Sequence, residues 1–459
     1  MSLRLLHYSD LETAIDDPEQ CARLVGAINS LRDGNSVVIG TGDNTAPGAL
    51  SLATQGRAAL DFFRAVSPHI DTFGNHDFDF GHETARELAD AAPQRWLCAN
   101  AVRNGDRFAA DATAPSTLVE TDDYRVGVVG VAHPETDGIN PAADGVDFTD
   151  PVPAVREEAA ALRDRGVDVV VVASHCGKRD DRIARETDVD VVLGGHVHDV
   201  HVETVADTFV VRPGRAGTHF SEVTLNATPD VTIHSVDGTD RDDDLAATLR
   251  DRLAEHGLDE VVATVETPVE LTEETVNAAE SRAGNFVADA LRWSADADVA
   301  ISPAGALRAD GPLDGDVTVA ELVNLTPYED DLAVLSLSGE RLRDALDEIP
   351  IGYHYDDFPL HYCSHVSGAR IVWDDDEGEL TDATVGGHPL DSDRRYTLAV
   401  ADYLVETDHV SDAFDEEDVV RRCGLARDAI VEYAREEGIN PDIEGRIDRP
   451  TLSGRRSNR

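Results

Sequence analysis

Apolar residues fall in short, nearly unbroken blocks through the first half of the chain, at 3–6, 36–39, 96–98, 124–131, 167–173 and 189–193. Their Val- and Ile-rich, non-alternating character predicts strands buried on both faces. Between the blocks, apolar positions recur at helical spacing over 18–31, 48–66 and 155–165, the first bracketed by Pro18 and, beyond its end, by Gly34. Strands and helices that alternate in this way argue for sheets covered by helices, an α/β chain. Shorter strand candidates at 201–225 close this half.

A polar, acidic stretch at 237–244 then precedes Leu245, Leu249 and Leu253 at i, i+4 spacing, which reads as a linker and connecting helix over 236–260. A second α/β unit is expected over 261–448, its clearest helix carrying Phe286, Val287, Ala290 and Leu291, with a disordered tail at 449–459. A chain of 459 residues suits this division into a first domain, 1–235, and a second.

Composition changes the picture through charge. Against 39 Lys plus Arg stand 91 Asp plus Glu, a net charge of −52, and Lys178 is the only lysine. The acids are spread along the whole length rather than blocked into a tail, so they read as a solvated surface for a salty cytoplasm, not as a polycation binder. At ~1 M salt the Debye length is about 3 Å and the self-repulsion is screened. The same field disfavours nucleic-acid polymers and anionic membranes as partners. No leader-like start and no 18-residue apolar run is present, and Cys21, Cys98, Cys176, Cys363 and Cys423 are scattered without CxxC spacing. The expectation is a cytoplasmic protein with reduced, mostly buried thiols; its oligomeric state is not legible.

Five motifs carry candidate chemistry: SDLE with Asp10 and Glu12, TGDN with Asp43, GNHDFD with Asn75, His76 and Asp79, SHCG with His175, and GGHVH with His196 and His198. Asp10, Asp43, Asn75, His175 and His196 all fall just after a predicted strand, and in open α/β sheets the carboxyl ends of the strands converge on the ligand crevice. Carboxylate, amide and imidazole donors suit a pair of divalent ions, with a bridging carboxylate holding them about 3.5–4 Å apart. Such a pair activates water near neutral pH and clamps phosphoryl oxygens, so the set points to hydrolysis of phosphate esters. Each motif alone is weak, since an Asp after a strand is commonly a helix cap and HxH at a strand edge arises by chance. An imidazole beside a metal pair needs a carboxylate to fix its tautomer, a part Asp79 can play for His76, the bland reading of Asp79 being a capping or surface acid. Cys176 reads as a packed thiol.

These motifs resemble the calcineurin-like metallophosphoesterase superfamily, and within it the 5′-nucleotidase/UDP-sugar hydrolase family. The second half extends the resemblance: SRAGNFVADALR is similar to the family's GN-x-x-x-DA-x-R helix, SPAGALRADGPLDGDVTVAELVNLTPYEDDLAVLSLSG to its GG-x-R … PF-x-N-x-L region, and SHVSGARIVWD to its VSG strand. The resemblance implies an α/β (α+β) fold: an N-terminal four-layer α/β/β/α metallophosphoesterase sandwich, then a C-terminal α/β 5′-nucleotidase-type substrate domain. It implies two divalent metal ions. Asp10 and His198 would hold the first, Asp43 would bridge, and Asn75, His175 and His196 would hold the second. His76 would meet the phosphate with Asp79 steering its ring, and Arg308 and Asn285 would serve substrate binding from the second domain. Arg308 and Asn285 also have plain readings, as a surface arginine paired with nearby acids and as a cap.

Two departures from the family pattern stand out. Where the family has Asp-x-His, this chain has Asp10-Leu11-Glu12; Glu12 as a ligand would add a hard oxygen and favour Mn²⁺ over Zn²⁺, Co²⁺ or Fe. Glu12 as a solvated acid is the other reading. The first aromatic of the family's nucleobase clamp aligns with Cys363, with Tyr362 beside it as a substrate-binding candidate, and His365 stands where an Asn follows in the family; the glycine-rich loop aligns with 405–410, which lacks glycine, and Tyr403 and Phe414 are candidate replacements. The expected activity is metal-dependent hydrolysis of nucleotides, of the 5′-nucleotidase, cyclic-nucleotide or UDP-sugar hydrolase type. The alternatives are a phosphatase for a small non-nucleotide ester and a catalytically silent binding protein.

Overall fold

A computed structural model describes residues 2–308, 311–350, 363–406 and 411–450. Tyr362, the loop positions 407–410 and the tail 451–459 lie outside them. The chain divides into two compact units after His256.

The first unit is built on two sheets. One runs, in spatial order, Asp230–Ser235, His219–Leu225, Leu3–Tyr8, Ser36–Gly40, Ile70–Thr72, Arg95–Leu97 and Thr113–Ala114. The other runs Val200–Val205, Thr208–Pro213, Val191–Gly194, Val169–His175, Arg125–Ala132 and Ser116–Glu120. The central pairs of both are parallel, which brings their carboxyl ends to one edge. Because strand side chains alternate, each apolar block must bury two faces. Leu3, Leu5, Val37, Ile39 and Ile70 of the first sheet meet Val126, Val128, Val171, Ala173 and Val191 of the second in one core. On the far side of the second sheet, Val129, Val131, Val170 and Val172 lie under Val155, Ala159 and Leu162 of the helix Pro151–Asp164. On the far side of the first, Tyr8 sets its ring 5.3 Å from Phe62 of the helix Ala59–Val66. The result is the expected α/β/β/α layering.

Two elements differ from the pattern reading. The helix expected over 48–66 is two, Ala49–Thr54 and Ala59–Val66, because Gln55 and Gly56 turn left-handed between them at φ 52° and 76°. The helix Asp243–Glu255, read as a connector, is part of the first unit. Asp242 caps it by accepting from Leu245 N at 2.9 Å, and Arg252 reaches Asp61 at 3.2 Å.

The second unit centres on a five-stranded sheet, Ser364–Ser367, Val299–Pro303, Arg395–Ala401, Asp331–Ser338 and Val419–Leu425 in spatial order. Leu291 and Ala295 of the helix Arg282–Ala295 and Ala426 and Ala429 of the helix Ala426–Glu437 cover one face. Leu342 and Leu346 of the helix Gly339–Asp347, with Ile371 and Trp373, cover the other. All five cysteines are thiols outside any disulfide, four of them buried. No described helix is long and apolar enough to cross a membrane.

Candidate metal centre

The predicted ligands do meet. Asp10, Asp43, Asn75 and His196 follow the strands Leu3–Tyr8, Ser36–Gly40, Ile70–Thr72 and Val191–Gly194, and His175 ends Val169–His175. Their donor atoms form overlapping groups, Asp43 with His175 and His196, Asp10 with Glu12 and His198, and Glu12 with Asp43 and His76, each within 4.8 Å.

Four of these residues hold a backbone that only glycine adopts readily: Asp10 (φ 49°), Glu12 (47°), Asp43 (52°) and His196 (73°). Such strain costs on the order of 1 kcal/mol or more per residue and persists only where the surroundings over-determine it. Here Asp10 N donates to Gly42 O at 3.0 Å and Glu12 N to Asp43 O at 3.2 Å. Asp43 N donates to Asp77 Oδ2 at 2.9 Å, and His196 N to Asp10 Oδ1 at 3.0 Å. Two glycines make room: a Cβ on Gly42 would lie 2.6 Å from His175 Nδ1, and one on Gly74 only 2.1 Å from Asp43 Oδ1.

On one side of Asp43, His175 donates from Nδ1 to Thr41 O at 2.7 Å, which turns Nε2 toward Asp43 Oδ2 at 3.1 Å. That Nε2 is buried and makes no aligned hydrogen bond. His196 Nδ1 faces Asn75 Oδ1 at 2.9 Å. On the other side, His198 Nε2 lies 3.2 Å from Glu12 Oε1 and 3.9 Å from Asp10 Oδ1, and Arg215 Nη1 lies 3.5 Å from Glu12 Oε2. Ser9 donates its hydroxyl to Asp10 Oδ2.

Electrostatics match a cation site. Burial pushes the Asp10 carboxyl up to about 6 despite His175 and His198. Burial would also raise Asp43, but His175 and His76 outweigh it and hold it at about 2. Burial would lower His175, yet Asp43 lifts it to about 10. Burial and the charge of His175 keep His196 well below the usual imidazole range, in the neutral form a metal requires. Asp10 is raised by burial and by the neighbouring Asp43, and His175 is held protonated chiefly by Asp43, so a cation between these groups would relieve the buried like charges and displace that proton. The donor set therefore fits a divalent pair.

His76 N donates to Asp43 Oδ1 at 2.7 Å, and its ring Nδ1 sits 3.1 and 3.2 Å from the two oxygens of Asp79. The motifs did not mark several supporting residues. Asp77, inside GNHDFD, is buried and accepts from the backbone of Asp43, Gly74 and Thr45, locking two ligand loops together. His133 stacks on His196 with ring centres 4.7 Å apart and bonds to Arg179. Asn140 reaches both Asn75 and Asp79. Asp77 was visible as an unassigned acid within a motif, whereas His133 and Asn140 sit between motifs with no local signal.

In the second unit, Arg308 lies over the Tyr328 ring at 5.4 Å, and its backbone N donates to Leu325 O at 3.0 Å. Asn285, another substrate-binding candidate of this unit, lies in the first turn of the helix Arg282–Ala295. It is 1% exposed, and its Nδ2 donates to Glu280 Oε1 at 2.7 Å and Asp442 O at 2.8 Å. Cys176 is a packed thiol that donates to Ala132 O at 3.3 Å. Cys363 and His365 are buried, and Gly284 is required against the His365 ring, since a Cβ there would lie 2.2 Å from it.

A two-sheet sandwich that gathers carboxylates, an amide and imidazoles at its strand ends defines a metallophosphoesterase. Residues 3–200 match the calcineurin-like phosphoesterase family, and residues 261–416 match the C-terminal domain of 5′-nucleotidases. The chain belongs to the calcineurin-like metallophosphoesterases that carry a 5′-nucleotidase C-terminal domain, and it is a phosphoric ester hydrolase. An apyrase of Anopheles gambiae is 25% identical over 478 residues, spanning 88% of this chain and 82% of its own. The fold is that of a 5′-nucleotidase precursor from Thermus thermophilus, at TM-score 0.81 and 20% identity over 98% of this chain and 99% of that one. It is also that of a sulfate thiohydrolase from Thermus thermophilus, at TM-score 0.77 and 21% identity over 98% and 96%. The family favours nucleotide hydrolysis over the small-ester phosphatase and the silent binding protein.

Proposed function

We propose that the centre is a 5′-nucleotidase-type site whose substrates are nucleoside monophosphates or related nucleotides, including cyclic nucleotides and nucleoside diphosphate sugars. Asp10, Glu12 and His198 would hold one divalent ion, Asn75, His175 and His196 a second, with Asp43 shared between them. The observation that carries the reading is Asp43 itself, grouped with His175 and His196 on one side and with Glu12 on the other. A bound pair supplies Lewis acidity and water activation for in-line displacement at phosphorus. Asp79 fixes the Nδ1–H tautomer of His76, which presents Nε2 to a phosphoryl oxygen and offsets the charge that develops there. Arg308, with its planar fork of donors, is the candidate substrate contact of the second unit.

Glu12 gives the first site an extra hard oxygen, so Mn²⁺ is the favoured ion. A reactivation series in which Zn²⁺ outperforms Mn²⁺ overturns that preference. The acidic surface suits a cytoplasm of molar salt, where no nucleic-acid polymer or membrane surface is a partner; the melting temperature should rise from low to molar salt, and an unchanged value overturns this. The substrate reading is tested by turnover of AMP, UDP-glucose, cyclic 2′,3′-AMP and sugar phosphates with Mn²⁺ in molar salt. Nucleotides are expected to lead, and equal turnover of the sugar phosphates overturns the reading.

A further inference from the structure

The geometry points to Asn140 as a positioning residue that holds the His76–Asp79 pair and the Asn75 peptide in one arrangement. It lies far from the motifs in sequence, directly after the short helix Thr136–Ile139 in the segment between the strand Arg125–Ala132 and the helix Pro151–Asp164. Its side chain is buried, at 9% exposure.

The orientation of its amide is decided by a cap. Asn140 precedes the short 3₁₀ turn Pro141–Ala143, and its Oδ1 accepts from Ala142 N at 2.9 Å. The oxygen being taken by an N–H, the nitrogen faces the site, and both of its hydrogens are used. One goes to Asp79 Oδ1 at 2.8 Å, the other to Asn75 O at 2.8 Å. Asp79 thus accepts from Asn140 on the same carboxylate that faces His76 Nδ1 at 3.1 Å. Without that donor the carboxylate can rotate about its Cβ–Cγ bond, and the imidazole loses the group that sets its angle. The second bond acts one residue earlier: it anchors the Asn75 peptide, whose side-chain oxygen faces His196 at 2.9 Å. One amide therefore sets the phosphate-facing imidazole and an adjacent ligand together.

This inference rests on the reading of His76 and Asp79 given above, and its test separates the two. Asn140→Asp is nearly isosteric and keeps the oxygen that caps Ala142, but it loses both donations and faces Asp79 with a like charge. Asn140→Ser serves as a second variant with a smaller capping oxygen, should the aspartate fail to fold. Turnover of 4-nitrophenyl phosphate is measured with Mn²⁺ in molar salt for each variant, alone and combined with Asp79→Asn. The expected result is a fall in kcat of about 10- to 100-fold with little change in KM, the range for a group that orients an active-site partner. In the Asp79→Asn background the same change should cost less than it does alone, because one of the two groups through which Asn140 acts is already lost. A full, multiplicative loss in that background, a rise in KM with kcat unchanged, or no effect in either variant overturns the inference. If Asp79→Asn is itself silent, the His76–Asp79 reading falls and this one falls with it. If Asp79→Asn is costly and Asn140→Asp is silent, only the present inference falls.

Discussion

The first unit buries carboxylates beside one another, whereas the second sets its guanidiniums against counter-charges. Asp71, Asp77 and Asp10 are pushed up to about 8, 6 and 6 by burial, with Asp77 adding to the first and Asp43 to the other two. In the second unit, Arg446 Nη2 meets Asp289 Oδ2 at 2.8 Å, and Arg422 Nε meets Asp402 Oδ2 at 2.7 Å. A cluster of like charges held in strained backbone is costly without a cation, so it marks a site. Charges met by counter-charges and hydrogen bonds mark scaffold. The contrast places the candidate chemistry in the first unit.

The largest expected effect tests the cluster. Asp43→Asn keeps the shape but removes the carboxylate shared by two ligand groups. Turnover of every phosphate ester is expected to fall by at least about 10²–10³-fold, the scale for loss of one charge-stabilising group. Bound metal, measured by elemental analysis, should fall as well. An Asp43→Asn protein that retains both ions and most of its turnover would break the comparison at its centre.

The scaffold side is next. Arg446 also donates to Val366 O at 3.1 Å, so Arg446→Gln leaves Asp289 without its cation and a backbone acceptor without its donor. A loss of about 2 kcal/mol in denaturant unfolding is expected, from groups stranded on loss of a charged partner. The kcat of the folded fraction should not change. A fall in kcat without a fall in stability would move Arg446 from scaffold to site.

How far the sequence was readable follows the same divide. The strand blocks, the four layers and the meeting of the motif residues from Asp10 to His198 were legible, because the motifs sit just after apolar blocks and the parallel pairing brings those places together. Asn140 and His133 were not, because their roles exist only through contacts with residues distant in the chain. The partners of Asn285 were hidden for a related reason. Its motif places it at a helix start, but its partner Asp442 lies 157 positions away. The break at Gln55 and Gly56 escaped because apolar positions continue at helical spacing on both sides of it, although Gly56 itself is a breaker signal.

A smaller effect is expected at Arg308, the one polar residue of the second unit proposed to meet substrate. Arg308→Ala should raise KM by roughly tenfold, about 1.4 kcal/mol for one charge-assisted contact, with kcat nearly constant. An effect on kcat alone would place Arg308 with the chemistry and blur the division between the units.

The smallest effect concerns an exception to the contrast. Glu348, in the second unit, is raised to about 7 by burial and by Asp412, an arrangement of the first unit's kind. Its folded value lies above the ordinary 4.5, so the folded protein keeps this proton longer than the unfolded chain. The stability this contributes is fully present below about pH 4.5 and is lost as pH rises through about 7. Glu348 is only partly buried, so solvent screening reduces the span to on the order of 1 kcal/mol. Melting temperatures of the wild type and Glu348→Gln should therefore converge at low pH and separate above neutrality, the variant being the more stable. Parallel curves across that window would show that Glu348 is solvated like an ordinary surface acid, and the contrast between the two units would then hold without exception.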